Sequence, residues 1–327
     1  MIRTQHVRAF RLESGAVLPE VVQAYRLFGS LNARRDNAVF VFHSLTGSPA
    51  ADEWWQGVVG PGCAIDTDRY AVFCPNLLGS CYGTHGLPAG AAVTPRDMAR
   101  LALELLDAHR ITSVALAAGG SLGGMVALEW AAEATSLSRS VVAFAAPAAH
   151  TAQGIAFNHV QRRALELGGV EGLALARMAA MLTYRTAAQL EARFGRERRE
   201  DGAFQVQSYL DHQGDKLVRR MDARTYRTLI DAMDAHDVGR GRAGVAAALR
   251  RFRGRLWGVG IRGDLLYEPA DVRAWTDAAG AEYRELDSPY GHDAFLLEPL
   301  QMSAILREAL ASPAVVAAPR ALLEAAS

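Results

Sequence analysis

A serine within a glycine-rich run is the clearest candidate for chemistry in this sequence. Residues 119–124 read GGSLGG and contain the pattern G-x-S-x-G around Ser121. The run follows an apolar stretch of strand length, Val114–Ala118, and precedes a helical pattern, Met125–Glu133. A serine at such a strand-to-helix turn presents its hydroxyl as a nucleophile, and N–H groups at the start of the helix can stabilise an oxyanion. The alternative is a glycine-rich turn without chemistry.

Ser121 needs partners, because a serine hydroxyl is a poor nucleophile at neutral pH without a base. Where this motif marks a nucleophile, an acid and then a histidine follow the serine along the chain. Asp264 follows the strand-like run Arg255–Ile261, and His292 stands in the sequence GHDAF between the last predicted strand and the last predicted helix. We predict that His292 takes the proton of Ser121, while Asp264 orients the imidazole and stabilises its charged form.

Other residues compete for the roles of acid and base. His43 ends a strand-like run and is predicted to shape its loop. Asp287 follows another strand-like run and is interpreted as a surface turn residue. Asp293 is adjacent to His292, and we predict that it binds the substrate.

Two backbone N–H groups are predicted to form an oxyanion hole. Leu122 directly follows the nucleophile, and Leu45 lies in the loop HSLTG (residues 43–47) after the first buried strand. These are the two regions that supply such donors around a G-x-S-x-G nucleophile. The alternative for Leu45 is a leucine that simply packs in its loop.

The elements that must position these residues follow an alternating order. Strand-like and helical patterns alternate through residues 1–150 and return after residue 240, which predicts an α/β fold with a mostly parallel central sheet flanked by helices. From residue 151 to 239 helical periodicity replaces the strand-like runs. We predict an α/β-hydrolase core (1–150 and 240–327) with an inserted helical cap (151–239) and a ligand cleft between them.

The individual elements are predicted from these patterns as well. The predicted strands are Ala38–Phe42, Tyr70–Cys74, Val114–Ala118, Ser140–Phe144, Arg255–Ile261 and Ala281–Leu286. The predicted helices are Pro95–His109, Met125–Glu133, Ile155–Leu167, Val170–Leu182, Ala187–Phe194, Tyr209–Val218, Arg224–Met233 and Pro299–Leu310. For the alanine-rich tail after Pro313 the sequence favours neither helix nor irregular structure.

Composition excludes several classes of partner. Acidic and basic residues balance at 35 each in 327 residues, so net charge favours neither nucleic acid nor an anionic membrane as a partner. The three cysteines lack metal-ligand spacing, and we predict no metal and no bound cofactor. No long apolar run predicts a membrane span or a signal peptide, so a cytoplasmic location is expected.

Seven stretches of the sequence resemble the homoserine O-acetyltransferases of the α/β-hydrolase superfamily, in family order over roughly residues 10–310. The stretches are HSLTGS (43–48), WWQGVVGPGCAIDTDRYAVFCPNLLGSCYGTHG (54–86), GGSLGGMVALEWAA (119–132), IAFNHVQRRA (155–164), GLALARMAAMLTYRT (172–186), SYLDHQGDKLVRRMDARTY (208–226) and GHDAFLLE (291–298). The resemblance implies acetyl transfer from acetyl-CoA, as co-substrate, to the hydroxyl of homoserine through an acyl-serine, a step towards methionine. It also implies a homodimer formed through the helical cap.

The resemblance also implies site residues by position. Ser121, Asp264 and His292 match the family's triad, Arg162 matches an arginine that holds the amino-acid carboxylate, and Asp293 matches an aspartate near the substrate amine. For Arg162 there is a plainer interpretation, because an arginine on a helix is more often solvated or ion-paired at the surface. The chain departs from the family in shorter links after Gly86 and after residue 163.

Three other functions remain open from the sequence. The first is acyl transfer with another donor or acceptor, such as succinyl-CoA or serine. The second is an α/β-hydrolase esterase, for which water is the acceptor. The third is a non-catalytic binding or scaffold protein, and the presence of all three triad members argues against it.

Overall fold

The computed structural model describes residues 1–312 of the chain. The tail after Pro313 lies outside the described residues. Within residues 1–312 the main sheet has eight strands in the order β1-β2-β6-β3-β7-β8-β9-β10. These strands are β1 (Ile2–Arg11), β2 (Val17–Phe28), β3 (Ala38–Phe42), β6 (Ala71–Pro75), β7 (Val114–Gly120), β8 (Ser140–Phe144), β9 (Arg255–Ile261) and β10 (Glu282–Leu286). Two short strands, β4 (Val59–Gly60) and β5 (Ile65–Asp66), pair separately.

The sheet is mostly parallel, as the sequence predicts. Strands β6, β3, β7, β8, β9 and β10 run parallel, whereas β2 is antiparallel to β6 and β1 is antiparallel to β2. The six predicted strands agree with the structure to within two residues at each end. Strands β1 and β2 are absent from the prediction, because β1 forms the exposed edge of the sheet and carries many charged and polar residues.

Helices cover both faces of the sheet. The described helices are α1 (Ala51–Trp54), α2 (Pro95–Ala108), α3 (Leu122–Glu133), α4 (Ala152–Glu166), α5 (Gly169–Tyr184), α6 (Ala187–Phe194), α7 (Gln205–Val218), α8 (Ala223–Asp234), α9 (Val245–Arg250), α10 (Pro269–Ala279), α11 (Ala294–Leu297) and α12 (Pro299–Leu310). Phe40 and Phe42 of β3 pack in the core that includes α2, α3 and α10, and Val39 and Val41 pack in the core that includes α12. Because each strand side chain alternates in direction, both faces are apolar and β3 is buried throughout.

Several helices begin three or four residues earlier than the sequence predicts. Apolar periodicity starts at the first packed residue, whereas the first turn of α4 (Ala152–Glu166) is polar or small. The start of α2 is better defined. Thr94 caps it by accepting the backbone N–H of Asp97, and Pro95 occupies the first turn.

Helices α4–α8 lie between β8 and β9, and we call residues 152–234 the helical segment. Helix α5 packs against α4 and α7, and α8 packs against α4. The segment leaves and rejoins the core at adjacent points, because the N–H of His150 donates to the His236 carbonyl at 2.9 Å and that of Val238 donates to the Ala148 carbonyl at 2.9 Å. In the described part of the chain, no helix is long and apolar enough to cross a membrane.

Candidate active site

Ser121 occupies the turn between β7 and α3. Its backbone has φ 56° and ψ −124°, a conformation that is strained for a residue with a side chain. The strain is held in place from both sides, because its N–H donates to the Phe144 carbonyl at 2.9 Å and its carbonyl accepts the Met125 N–H at 3.0 Å. Such a turn is typical of a serine nucleophile in an α/β-hydrolase sheet.

Glycines flank Ser121 because the turn packs directly on backbone. A Cβ at Gly123 would lie 2.1 Å from the carbonyl oxygen of Phe42, at the end of β3. A Cβ at Gly119 would lie 2.3 Å from the carbonyl oxygen of Gly123. No side chain fits at either position without moving the turn, so the glycines of the motif serve the position of the serine.

Asp264 and His292 form a buried pair. Asp264 follows β9, and His292 lies in a short 3₁₀ turn, Gly291–Asp293, just before α11. His292 Nδ1 donates to Asp264 Oδ2 at 2.7 Å, which fixes the proton on Nδ1 because a carboxylate only accepts. Asp264 Oδ1 accepts the N–H groups of Leu266 at 2.8 Å and Tyr267 at 3.1 Å. The carboxylate is therefore oriented by the backbone and in turn orients the imidazole.

His292 and Ser121 open into the same cavity, which has a volume of about 570 Å³. Nε2 of His292 is buried and has no hydrogen-bond partner within residues 1–312. The imidazole ring is enclosed by the rings of Tyr184 and Tyr267, each 5.4 Å away between centroids, and of Phe295 at 5.6 Å. Burial raises the pKa of Tyr184 to about 12, so this neighbour stays a neutral phenol.

The two predicted oxyanion donors belong to two different elements. Leu122 is the first residue of α3, and the first N–H groups of a helix have no partner inside the helix. Leu45 is in the cavity wall, in the loop after β3, with its side chain buried. Leu122 thus directly follows Ser121, and Leu45 lines the same cavity as Ser121.

Asp293 also lines the cavity. Arg185 Nη2 lies 3.0 Å from Asp293 Oδ2. Burial raises the pKa of Asp293, while Arg185, Arg177 and His292 act in the opposite direction. Asp293, which is predicted to bind the substrate, therefore lies next to the base His292 and already forms an ion pair with Arg185.

Arg162 does not line the cavity. On α4, it donates to Asp234 and, at 3.2 Å, to Asp231, both on α8. Asp234 is also bound by Asn158 at 2.7 Å and lies 3.0 Å from His150 Nδ1. The position of Arg162 therefore agrees with the plainer interpretation, an ion-paired arginine on a helix. The packing of α8 on α4 places two carboxylates within its reach.

His43 connects its own loop to the loop after β6. It is fully buried, its Nδ1 donates to the Ser44 carbonyl at 2.8 Å, and its Nε2 accepts the Leu77 N–H at 3.1 Å. Burial lowers its pKa to about 4. Asp287 pairs with Arg262 at 3.2 Å on the surface.

Comparison with known proteins identifies the family of this chain. A family model described as alpha/beta hydrolase fold matches residues 37–299. The homoserine O-acetyltransferase of Thermus thermophilus is 44% identical to this chain over 91% of this chain and 88% of the relative. The chain belongs to the homoserine O-acetyltransferase family. The predicted family and fold class are thereby confirmed, and this family member is an enzyme.

Solved structures share the fold of this homoserine O-acetyltransferase family member. A homoserine O-acetyltransferase from Bacillus anthracis superposes with a TM-score of 0.87 at 20% identity, over 97% of this chain and 100% of that chain. An acetylester hydrolase from Corynebacterium glutamicum superposes with a TM-score of 0.84 at 22% identity, over 95% of this chain and 96% of that chain. At these identities the likeness establishes the fold alone.

The helical segment of this family member brings charged residues to the cavity that sequence reasoning missed. Arg177 on α5, Lys216 on α7 and Arg220 just after α7 line it together with Ser121 and His292. They lie within two of the stretches that carry the family resemblance, GLALARM and GDKLVRR. Their position in these stretches was the one indication in the sequence. The local sequence around a charged residue does not show whether it lines a cavity or lies on the surface.

Proposed function

We propose that the enzyme transfers an acetyl group from acetyl-CoA to the hydroxyl of L-homoserine by a ping-pong route through acetyl-Ser121. The observation that carries the proposal is the buried Asp264–His292 pair at 2.7 Å, whose imidazole opens into the same cavity as Ser121. The name of the Thermus thermophilus relative supports homoserine as the acceptor and acetyl as the group transferred.

The first half-reaction acylates the serine. Ser121 Oγ attacks the thioester carbon, and its proton passes to Nε2 of His292. The C–S bond then breaks, the sulfur takes the proton from His292, and CoA leaves as the thiol. The imidazolium formed on the way is stabilised by the Asp264 carboxylate, which lies 2.7 Å from Nδ1.

Charge on the substrate oxygen needs its own donors during both half-reactions. We propose the backbone N–H groups of Leu122 and Leu45 for this role, since Leu122 follows Ser121 at a helix N-terminus and Leu45 lines the same cavity. The glycine packing at the turn supports this role, because it fixes the positions of these donors before the substrate arrives.

The second half-reaction transfers the acetyl group to the acceptor. Homoserine is proposed to place its amine against Asp293 and its carboxylate on Arg177, which lines the cavity, in place of Arg162, which is paired with Asp234. His292 takes the proton of the acceptor hydroxyl, the hydroxyl oxygen attacks the acetyl carbon, and the Ser121 oxygen leaves with the proton from His292.

Transfer must outcompete hydrolysis of acetyl-Ser121. We propose that the helical segment serves as a cap that excludes water and holds the acceptor hydroxyl in line. Its residues Arg177, Tyr184, Lys216 and Arg220 line the cavity together with the loop that contains Leu45. An esterase of the same fold would not need this set of charges.

Mass spectrometry of the protein mixed with acetyl-CoA or succinyl-CoA tests the proposal. We expect the mass of one acetyl group on the Ser121 peptide from acetyl-CoA, absent in Ser121→Ala. CoA release beyond the single equivalent of the acylation step should require homoserine. An added succinyl group would identify succinyl-CoA as the donor. Faster turnover with serine than with homoserine would identify serine as the acceptor. Equally fast sustained CoA release without an acceptor would identify an esterase, and unaltered function of Ser121→Ala would identify a binding protein.

We also propose that two copies assemble through helices α4 and α5. Large apolar side chains are exposed along these helices and the link between them. They are Ile155, Val160, Leu167, Val170, Leu175 and Leu182. Such a patch is more typical of an interface than of a solvated surface. Light scattering is expected to give the mass of two chains, and Val160→Asp is expected to give one chain with an unchanged circular dichroism spectrum; a monomeric wild type contradicts the proposal.

A further inference from the structure

The cavity above Ser121 carries unbalanced positive charge. Its lining includes the cations Arg177, Lys216 and Arg220 and the carboxylates Glu53 and Asp293. Both carboxylates already have arginine partners outside the lining, Arg26 at 3.3 Å for Glu53 and Arg185 at 3.0 Å for Asp293. Within residues 1–312 none of the three lining cations forms a salt bridge. A ligand with several negative charges is therefore the natural occupant.

Lys216 and Arg220 lie at the outer part of this cavity. They are four residues apart at the end of α7, a spacing that places two side chains on the same side of a helix. Both residues are exposed, whereas Ser121 and His292 are buried. The cavity therefore runs from the buried nucleophile to an exposed pair of cations.

Arg220 also joins the two sides of this opening. Its Nη1 donates to the hydroxyl of Tyr82 at 3.0 Å and to the carbonyl of Thr46. These contacts fix the guanidinium. Lys216 lines the same cavity one helical turn away, and its ammonium group has no hydrogen-bond partner or carboxylate in the described part of the chain. A fixed guanidinium next to a free ammonium suits a phosphate group.

We propose that Lys216 and Arg220 form a phosphate-binding subsite for the CoA portion of the acyl donor. The inference rests on the proposed function, because it assigns the outer end of that same cavity. The amino-acid acceptor has one carboxylate, which Arg177 can bind, whereas CoA carries a pyrophosphate and a 3′-phosphate. The thioester then extends inwards to Ser121 while the phosphates stay at the exposed end.

Steady-state kinetics of Lys216 variants test the subsite. Lys216→Gln is expected to raise KM for acetyl-CoA about five- to tenfold, as for loss of one partly exposed charged contact, with kcat little changed. The phosphate-free thioester S-acetyl-N-acetylcysteamine should show less than about a twofold effect. Lys216→Arg should restore most of the affinity. Equal losses for both donors, or no loss, would overturn the subsite.

Arg219→Gln is the matched control. Arg219 neighbours Arg220 at the same helix end, is exposed and does not line the cavity. It therefore shares any general benefit of a cation at a helix C-terminus, and its removal should leave KM for acetyl-CoA unchanged. If Arg219→Gln raised KM for acetyl-CoA as much as Lys216→Gln does, the effect would come from net charge and the subsite would be rejected. With 3′-dephospho-CoA thioester, persistence of the Lys216→Gln effect assigns the pyrophosphate, and its disappearance assigns the 3′-phosphate.

A labelling experiment is independent of acyl transfer. Lys216 is the single lysine of the chain, so an N-hydroxysuccinimide ester modifies only Lys216 and the terminal amine, which serves as internal reference. Free CoA should slow modification of Lys216 in the wild-type protein, and N-acetylcysteamine should not. Protection without acetyl-Ser121 formation would retain the subsite and reject the proposed function; acetyl-Ser121 without protection would reject the subsite alone.

Discussion

Replacing Asp264 by asparagine is expected to slow acylation of Ser121 by about 10³- to 10⁴-fold. Asp264 Oδ1 accepts two backbone N–H groups, at 2.8 and 3.1 Å, so only the oxygen of an asparagine amide can take that place. The amide NH₂ must then face Nδ1 of His292, which has to accept. The ring proton moves to Nε2, and the base loses the lone pair that receives the serine proton.

The magnitude follows from the lost charge as well. The His292 Nδ1 to Asp264 Oδ2 distance is 2.7 Å, and the charge centres of the two groups lie somewhat farther apart. A unit charge pair at roughly 4 Å contributes about 4 kcal/mol at an effective dielectric constant of about 20. Every ~1.4 kcal/mol is about tenfold in rate, so the imidazolium loses about 10³-fold in stabilisation before the tautomer is considered.

Rapid mixing with acetyl-CoA, quenching and mass analysis of the Ser121 peptide gives the acylation rate constant without any acceptor. Asp287→Asn is the matched control, because Asp287 is the rival carboxylate and pairs on the surface with Arg262; it should stay within about twofold of wild type. Unfolding midpoints of both variants check the fold. An Asp264→Asn enzyme that retains more than about one-tenth of the wild-type rate, or an equal loss in Asp287→Asn, would refute the triad assignment.

Three further predictions concern stability and the acceptor. Burial lowers the pKa of His43 to about 4 and of His236 to about 3, so the native state disfavours protonation of both. Stability is full above the unfolded pKa of about 6.5 and falls below it; from pH 7 to pH 5 the free energy of unfolding should drop by about 2 kcal/mol per histidine, and equal urea midpoints at the two pH values would contradict this. Arg177→Gln should raise KM for the amino-acid acceptor about 10- to 100-fold, whereas Arg162→Gln should lower the thermal midpoint with little change in KM; the opposite pattern in acceptor titrations would restore Arg162 to the site. Gly123→Ala places a Cβ 2.1 Å from the oxygen of Phe42 and should cost about 1–3 kcal/mol of stability together with at least about tenfold in acylation rate, and wild-type acylation would show that the turn tolerates a side chain.

The elements nearest the catalytic residues were the easiest to predict. Strand β7 and helix α3 carry dense apolar sequence on either side of Ser121, and both are buried because helices cover the sheet on both faces. The exposed edge strand β1 has no such apolar run. One of its faces is exposed to solvent, and its charged residues form a pattern that is also typical of loops. Strands with a continuous apolar sequence were therefore predictable. Strand β2 was missed although its residues 21–25 are buried, because polar residues interrupt its apolar run.

The sequence by itself determined the nucleophile turn, its acid and base candidates and the family. The turn is a local structure, and the acid and base occupy loops whose order along the chain follows from the order of the strands. Only the tertiary structure decided which cations share a cavity with Ser121. Arg162 forms an ion pair with a carboxylate on α8, whereas Arg177, Lys216 and Arg220 line the cavity. Such contacts join residues that are distant in the sequence and depend on how the helices pack. The local sequence does not show them, because a surface arginine and a cavity arginine have the same local pattern.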